Sequence, residues 1–143
     1  MFKLNVLFIA LAFFSFTSVA QDQVNDEELK KFVVIYKQVQ VENENFQEGM
    51  VKKIEAAGMD VQRFNEIHNA QMNPQAETDA SESELEKHKE IVTVLEKEQV
   101  KFQSKVSKII EKEGLTLEKY QEVFAALQSD QSLQQKFNEL MQG

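Results

Sequence analysis

Two stretches of the chain, residues 28–70 and 84–126, follow one pattern, and this repeat constrains the fold more than any other feature. When the two stretches are aligned without a gap, 13 of the 43 positions are identical. The period is longer than that of common solenoid repeats, and two copies are fewer than a solenoid normally needs. The repeat therefore predicts a tandem duplication that forms a single bundle.

Both copies carry the same helix-start signal. Asn25 is followed three residues later by Glu28, and Ser81 is followed in the same way by Glu84. Each pair matches a capping box, in which the two residues satisfy each other's free backbone N–H groups. Acidic residues near both starts also suit the positive end of a helix dipole.

Gly58 and Gly114 are equivalent in the repeat alignment, and each is suited to the left-handed position just after a helix end. Together with the start signals, they predict two long helices over about 26–57 and 82–113. Apolar residues follow helical spacing in both segments, in a stripe wide enough for a multi-helix bundle. Gly49 lies inside the first helix, either to permit a close helix approach or because it is simply tolerated.

A second amphipathic segment follows each glycine. Asp60 and Thr116 are placed as N-caps, so a short helix is expected to fold back along each long one. We predict an all-α helical bundle from a tandem duplication of a long helix–short helix unit, plus a short C-terminal helix. Its predicted parts are repeat 1 at 25–72, a linker at 73–80, repeat 2 at 81–128 and the last helix at about 130–142.

Residues 1–20 have the pattern of a secretory signal peptide. Lys3 provides the positive start, residues 4–14 are apolar apart from Asn5, and small residues stand at Ser18 and Ala20. The apolar run is shorter than the roughly 20 residues that span a bilayer. We expect cleavage after Ala20, a single helical domain over 21–143, no membrane span after cleavage, and a periplasmic location, with secretion as the alternative.

Several segments resemble one known family. Residues 58–67 and 114–120 share a glycine followed by Met or Leu and then, after four further residues, an aromatic residue. With the opening at 26–32 and the tail at 128–136, these segments are similar to a family of exported bacterial helical proteins catalogued as a domain of unknown function, DUF4168. The resemblance covers nearly all of the chain after the signal segment. It implies export, the periplasm of a Gram-negative bacterium and an all-helical fold, and it implies no activity, substrate or catalytic residue.

Familiar catalytic and cofactor patterns are missing from the sequence. There is no cysteine, hence no disulfide and no thiolate ligand or nucleophile, and the net charge of −8 opposes nucleic-acid binding. No Gly-x-Ser-x-Gly, His-Glu-x-x-His or Glu-x-x-His motif occurs. We therefore predict no catalytic residue, no cofactor and no metal site.

His88 occupies the position equivalent to Phe32, on an inward-facing stripe. It is interpreted as a structural histidine. Glu84 lies one helical turn earlier, which leaves open a pH-sensitive pair, or an enzyme or metal site built on Glu84 and His88.

Two other polar features are candidates for a role. Asn43 and Gln99 are equivalent in the repeat alignment and fall on the apolar seam, where they either fix helix register or sit at a wetter edge. A basic band along the second long helix is either a solvated face or a surface for lipid phosphates or an acidic partner. The band consists of Lys97, Lys101, Lys105, Lys108 and Lys112.

From these features we expect a non-catalytic binding protein of the bacterial envelope that acts on a protein partner of unknown identity. The alternative is a chaperone-like holdase that shields unfolded envelope proteins. The wide apolar stripe also leaves a homodimer open.

Overall fold

The computed structural model describes residues 24–73 and 78–143, and the predicted signal peptide and Pro74 lie outside them. The described residues form five α-helices and no strand. The protein is therefore an all-α bundle, as the sequence predicts. The helices are α1 (Asp26–Ala56), α2 (Val61–Met72), α3 (Glu82–Lys112), α4 (Leu117–Ser129) and α5 (Gln131–Gln142).

Both predicted capping boxes are present. At the start of α1, Glu28 N–H donates to Asn25 Oδ1 at 2.9 Å, and Asn25 N–H donates to Glu28 Oε2 at 3.1 Å. At the start of α3, Ser81 N–H donates to Glu84 Oε2 at 2.9 Å and Glu84 N–H donates to Ser81 Oγ at 3.3 Å. These bonds satisfy backbone donors that have no partner inside the helix. The capping residues therefore fix the positions at which the two long helices begin.

Both long helices end at a left-handed glycine. Gly58 has a φ of 77° and Gly114 a φ of 80°, a backbone region that glycine enters without steric cost. After Gly58 the chain turns back, and Met59 N–H donates to the carbonyl of Ile54 at 3.3 Å. The same bond pattern recurs after Gly114, and it is the pattern of a Schellman motif.

The short helices α2 and α4 begin at their predicted N-caps. Asp60 Oδ1 accepts the N–H groups of Gln62 at 2.8 Å and Arg63 at 3.3 Å. Thr116 Oγ1 accepts the N–H of Lys119 at 3.1 Å. Each cap fixes the entry of the chain into its helix.

The chain divides into two compact units, and the first combines residues 44–73 and 78–101 of the described chain. Here the end of α1 runs antiparallel to the first part of α3, because Lys53 pairs with Glu98 at 3.6 Å while Lys87 Nζ donates to the carbonyl of Gly58 at 3.4 Å. The short helix α2 completes a shared apolar core. Its buried residues are Met50, Ile54, Met59, Val61, Phe64, Ile67, Ile91 and Leu95.

The second unit combines residues 24–43 and 102–143. The first part of α1 again runs antiparallel to α3, because Glu42 pairs with Lys105 while Gln38 Nε2 donates to Glu113 Oε1 at 2.9 Å. Helices α4 and α5 complete this unit. Its largest fully buried side chains are Leu29, Phe32, Ile35, Ile110 and Val123.

Contacts in the two units correspond through the repeat alignment. Arg63 Nε contacts Glu84 at 2.8 Å in the first unit, and their repeat partners Lys119 and Glu28 form an ion pair at 3.8 Å in the second. Such recurrence is expected of a duplicated unit, while the duplication itself stays a prediction. At Gly49, a Cβ would meet no atom within 4 Å, so this glycine does not serve a close helix approach.

Candidate functional site

His88 lies in an aromatic cluster in the first unit. His88 lies on α3 and is only 1% exposed. The imidazole stacks on Phe64 of α2 with 4.7 Å between ring centroids, and the ring of His68, also on α2, lies 5.4 Å away. His68 in turn stacks on Phe64 at 5.7 Å. Three rings from two helices therefore contact one another.

Both ring nitrogens of His88 are buried without a hydrogen-bond partner among the described residues. Burial, reinforced by the nearby His68, lowers the pKa of His88 below its usual 6.5. The imidazole is consequently held in its neutral form near pH 7. A neutral imidazole still carries one donor and one acceptor, and leaving both unpaired in a buried site costs stability.

The structure does not form the pair between Glu84 and His88 that the sequence leaves open. The Glu84 carboxylate accepts bonds from Arg63 Nε at 2.8 Å and Nη2 at 3.2 Å, and from Ser81 N–H at 2.9 Å. The Arg63 guanidinium and then the Ser81 bonds lower the pKa of Glu84 to about 2. A bidentate hydrogen bond with arginine is stronger than a single hydrogen bond with imidazole. The Glu84 carboxylate is therefore paired with Arg63 and not with His88.

Arg63 links the start of α3 to α2 and the segment before α3. Besides Glu84, its Nη1 donates to Asp79 at 2.9 Å and to Glu66 at 3.3 Å. These carboxylates raise the pKa of Arg63 above its ordinary value. All the members are at least partly exposed, and together they connect α2, the segment before α3 and the start of α3.

An open cleft of about 500 Å³ borders the histidine cluster. Its lining combines the aliphatic Leu85 and Val92 with His88 and with exposed polar and charged residues. Within residues 24–73 and 78–143, no group of three or more His, Asp or Glu side chains is placed to hold a metal ion. The cleft is lined by Gln71, Leu85, Glu86, His88, Lys89, Val92, Thr93 and Glu96.

The second unit has a fully carbocyclic version of the same ring cluster. Phe32, the repeat partner of His88, stacks on Tyr120 with 4.8 Å between centroids and 27° between planes. The stack of His88 on Phe64 is nearly identical, at 4.7 Å and 30°. His68 likewise corresponds to a phenylalanine, Phe124. In the repeat alignment, both histidines therefore correspond to a phenylalanine, and the sequence alone shows this correspondence for each of them.

Helix α5 adds a ring to the cluster of the second unit. Phe137 meets Phe32 at 6.0 Å and Tyr36 at 5.4 Å, both edge-on. Burial in this cluster, with a smaller contribution from Tyr36, raises the pKa of Tyr120 to about 12. Tyr120 thus stays protonated at any ordinary pH, and the cluster carries no charge.

The five lysines of the predicted basic band are all exposed on α3. At 3.6 residues per turn they fall within an arc of about 80° around the helix axis, and we call this arc the lysine face. Between residues 97 and 112 no carboxylate falls within the arc. The nearby glutamates Glu96, Glu98 and Glu111 lie outside it.

The lysine face is only partly neutralised. Lys101 pairs with Glu98 at 2.9 Å, and Lys105 pairs with Glu42. Lys97, Lys108 and Lys112 form no ion pair with a carboxylate of the described residues. Three exposed ammonium groups on one helix face are therefore available to an outside anion.

The predicted polar residues of the apolar seam are Asn43, Gln99 and His88, and none of their side chains is hydrogen-bonded among the described residues. Asn43 and Gln99 are both partly buried, and the side chain of neither makes a hydrogen bond within the described part of the chain. Both alternatives, fixing register and a wetter edge, therefore stay predictions.

The fold and the sites define an all-α protein of two helical units, and none of its described helices is both long and apolar enough to cross a membrane. Residues 25–137 match the family model described as a domain of unknown function, DUF4168. The chain belongs to this family, which confirms the resemblance drawn from its motifs. No curated protein and no solved structure matches the chain.

Proposed function

We propose that this chain is a non-catalytic binding protein of the bacterial envelope, and that its lysine face binds an acidic surface of a partner protein. The observation that carries the proposal is the row of five exposed lysines on one arc of α3, three of them without an ion pair in the described chain. This row places five positive charges on one face of α3 in a molecule whose net charge is −8.

Helix stability accounts for only part of this row. Lys108 and Lys112 lie in the last turns of α3, where a cation interacts favourably with the helix dipole. That effect fades within about one turn of the helix end. Lys97 lies in the middle of α3, where the helix dipole gives no preference for a cation.

Binding through such a row depends on charge complementarity. Exposed charges steer a partner and fix its orientation more than they add affinity. A row of ammonium groups spaced three and four residues apart matches carboxylates at the same spacing on an acidic helix. We therefore expect an acidic helical segment on the partner.

The envelope location rests on residues 1–20. Their positive start, apolar middle and small residues before position 21 support export through a cleaved signal peptide. Export to the periplasm would bring the lysine face among other envelope proteins.

The proposal is tested by comparing two triple variants that remove the same charge. The first changes Lys97, Lys108 and Lys112 to Gln, and the matched control changes the exposed Lys30, Lys37 and Lys52 of α1 to Gln. Each tagged protein is expressed in its native cell, and co-purified envelope proteins are quantified by mass spectrometry.

We expect the lysine-face variant to co-purify about tenfold less of a partner protein that the wild type and the control recover in equal amounts. Recovery should also fall steeply as salt rises. Equal recovery with both variants would contradict the proposal. So would binding to vesicles of anionic phospholipid in place of any protein, because the surface would then be a lipid contact.

A further inference from the structure

The two histidines of the chain meet in one aromatic cluster of the first unit, although one is carried by α2 and the other by α3. The corresponding positions of the second unit are phenylalanines. We propose that His88, packed in this ring cluster, is a proton sensor that loosens the packing of α2 on α3 in mildly acidic solution, while the second unit keeps its structure.

In the described part of the chain, no carboxylate is bonded to either nitrogen of His88. Both of its nitrogens are buried and unpaired, and the groups next to it are the ring of Phe64 at 4.7 Å and that of His68 at 5.4 Å. The face of Phe64 offers at most a weak cation–π contact.

The charged groups on the surrounding elements are already engaged or exposed. On α2, Arg63 is bonded to Glu84, Asp79 and Glu66, so neither Glu84 nor Glu66 is free to turn to the imidazole. The side chains that α1 places in the core of this unit, Met50 and Ile54, are apolar. On α1, Lys52 pairs with Glu48, and Lys53 pairs with Glu98 of α3. On α3, the ammonium group of Lys87 donates to the carbonyl of Gly58. Four further charged residues of α3 are exposed: Glu86, Lys89, Glu90 and Glu96.

The sign of the pH effect follows from the lowered pKa of His88. The opened state binds a proton near the ordinary pKa of about 6.5, whereas the closed state does so only at lower pH. The stability that neutral His88 permits is therefore complete above pH 6.5 and declines as pH falls towards the pKa of the closed state. Between pH 7.5 and 5.5, the opening equilibrium of the first unit should rise by up to about tenfold for one such histidine, the limit being reached when the closed state stays unprotonated over this range.

Hydrogen exchange followed by mass spectrometry on the intact protein tests this directly. Exchange is measured at pH 7.5 and 5.5 and corrected for the intrinsic pH dependence of the chemistry. We expect opening of α2 to increase at the lower pH by up to about tenfold, while opening of α4, its counterpart in the second unit, is unchanged. Equal acceleration in both helices, or none in α2, would overturn the proposal.

Two variants separate the sensor from general acid sensitivity. H88F copies the ring of the second unit and should abolish the acid response of α2. F32H makes the reverse change and should transfer an acid response to α4. Persistence of the α2 response in H88F would overturn the proposal. If F32H does not fold, an NMR titration of His88 in the wild type takes its place. A pKa of His88 at or above 6.5 in the folded protein would also overturn the proposal.

Discussion

Replacing either of the two glycines that end the long helices should lower the stability of the protein by an amount that follows from its backbone conformation. At Gly58 the φ of 77° lies in the left-handed region, which costs a residue with a Cβ about 1–2 kcal/mol. A Cβ there would lie 3.5 Å from Lys87 Nζ, an ordinary contact that adds no steric cost. Gly58→Ala should therefore destabilise the protein by about 1–2 kcal/mol through its backbone alone.

Gly114→Ala and Gly49→Ala serve as matched comparisons. Gly114 has a φ of 80°, and its added Cβ would lie 3.7 Å from Lys31 Nζ, so the cost should equal that at Gly58. Gly49 is helical and its added Cβ meets nothing within 4 Å. The same substitution there should stabilise the protein by about 0.5–1 kcal/mol, because alanine loses less backbone entropy in a helix.

The assay is urea unfolding followed by circular dichroism at pH 8, well above the ordinary pKa of a histidine side chain. Free energies are obtained by linear extrapolation with a shared slope. The reasoning predicts opposite signs for Gly58→Ala and Gly49→Ala. It would be refuted if both variants shifted the midpoint in the same direction, or if Gly58→Ala were neutral.

Three further substitutions test other parts of the structure. His88→Phe should stabilise the protein at pH 8 by about 1–3 kcal/mol, because it removes two buried unpaired nitrogens; a loss in urea unfolding would contradict this. Asp60→Ala should cost about 1 kcal/mol by removing the cap of α2, whereas the exposed Asn69→Ala on the same helix should change stability by less than about 0.5 kcal/mol. The pKa of Glu84 is lowered to about 2. The stability that its ionised carboxylate contributes is therefore fully present above the ordinary pKa of 4.5 and is lost as pH falls from there towards 2. In an acid titration, Glu84→Gln should flatten the decline of stability over that range, and an unchanged decline would show that Arg63 does not hold the carboxylate.

The helix boundaries could be predicted from the sequence because their signals are local. Asn25 with Glu28 and Ser81 with Glu84 act over three residues, and the structure forms both capping boxes. A left-handed glycine likewise needs only its neighbours. These interactions do not depend on how the rest of the chain folds.

The histidine cluster could not be predicted in the same way, because it depends on competition between distant partners. Spacing alone makes Glu84, one helical turn from His88, a candidate partner. The structure brings Arg63 of α2 to this carboxylate and leaves the imidazole to His68 and Phe64. Spacing along one helix does not show what a second helix contributes.

The lysine face is an intermediate case. Its position on one side of α3 follows from the spacing of its residues, and all five lysines are exposed. Which of them are neutralised depends on tertiary structure, since Lys105 pairs with Glu42 of a different helix, α1. Only the structure therefore identifies Lys97, Lys108 and Lys112 as the lysines to change.

Site-specific photo-crosslinking in the native cell tests the central claim, that α3 binds a protein partner, most directly. The crosslinker is placed at Ser104, an exposed position on α3 beside the lysine face, and in a control strain at the exposed Asn45 of α1. The account predicts one defined crosslinked protein from Ser104 that is absent from Asn45 and lost when Lys97, Lys108 and Lys112 are changed to Gln. No product from Ser104, or the same products from both positions, would contradict it.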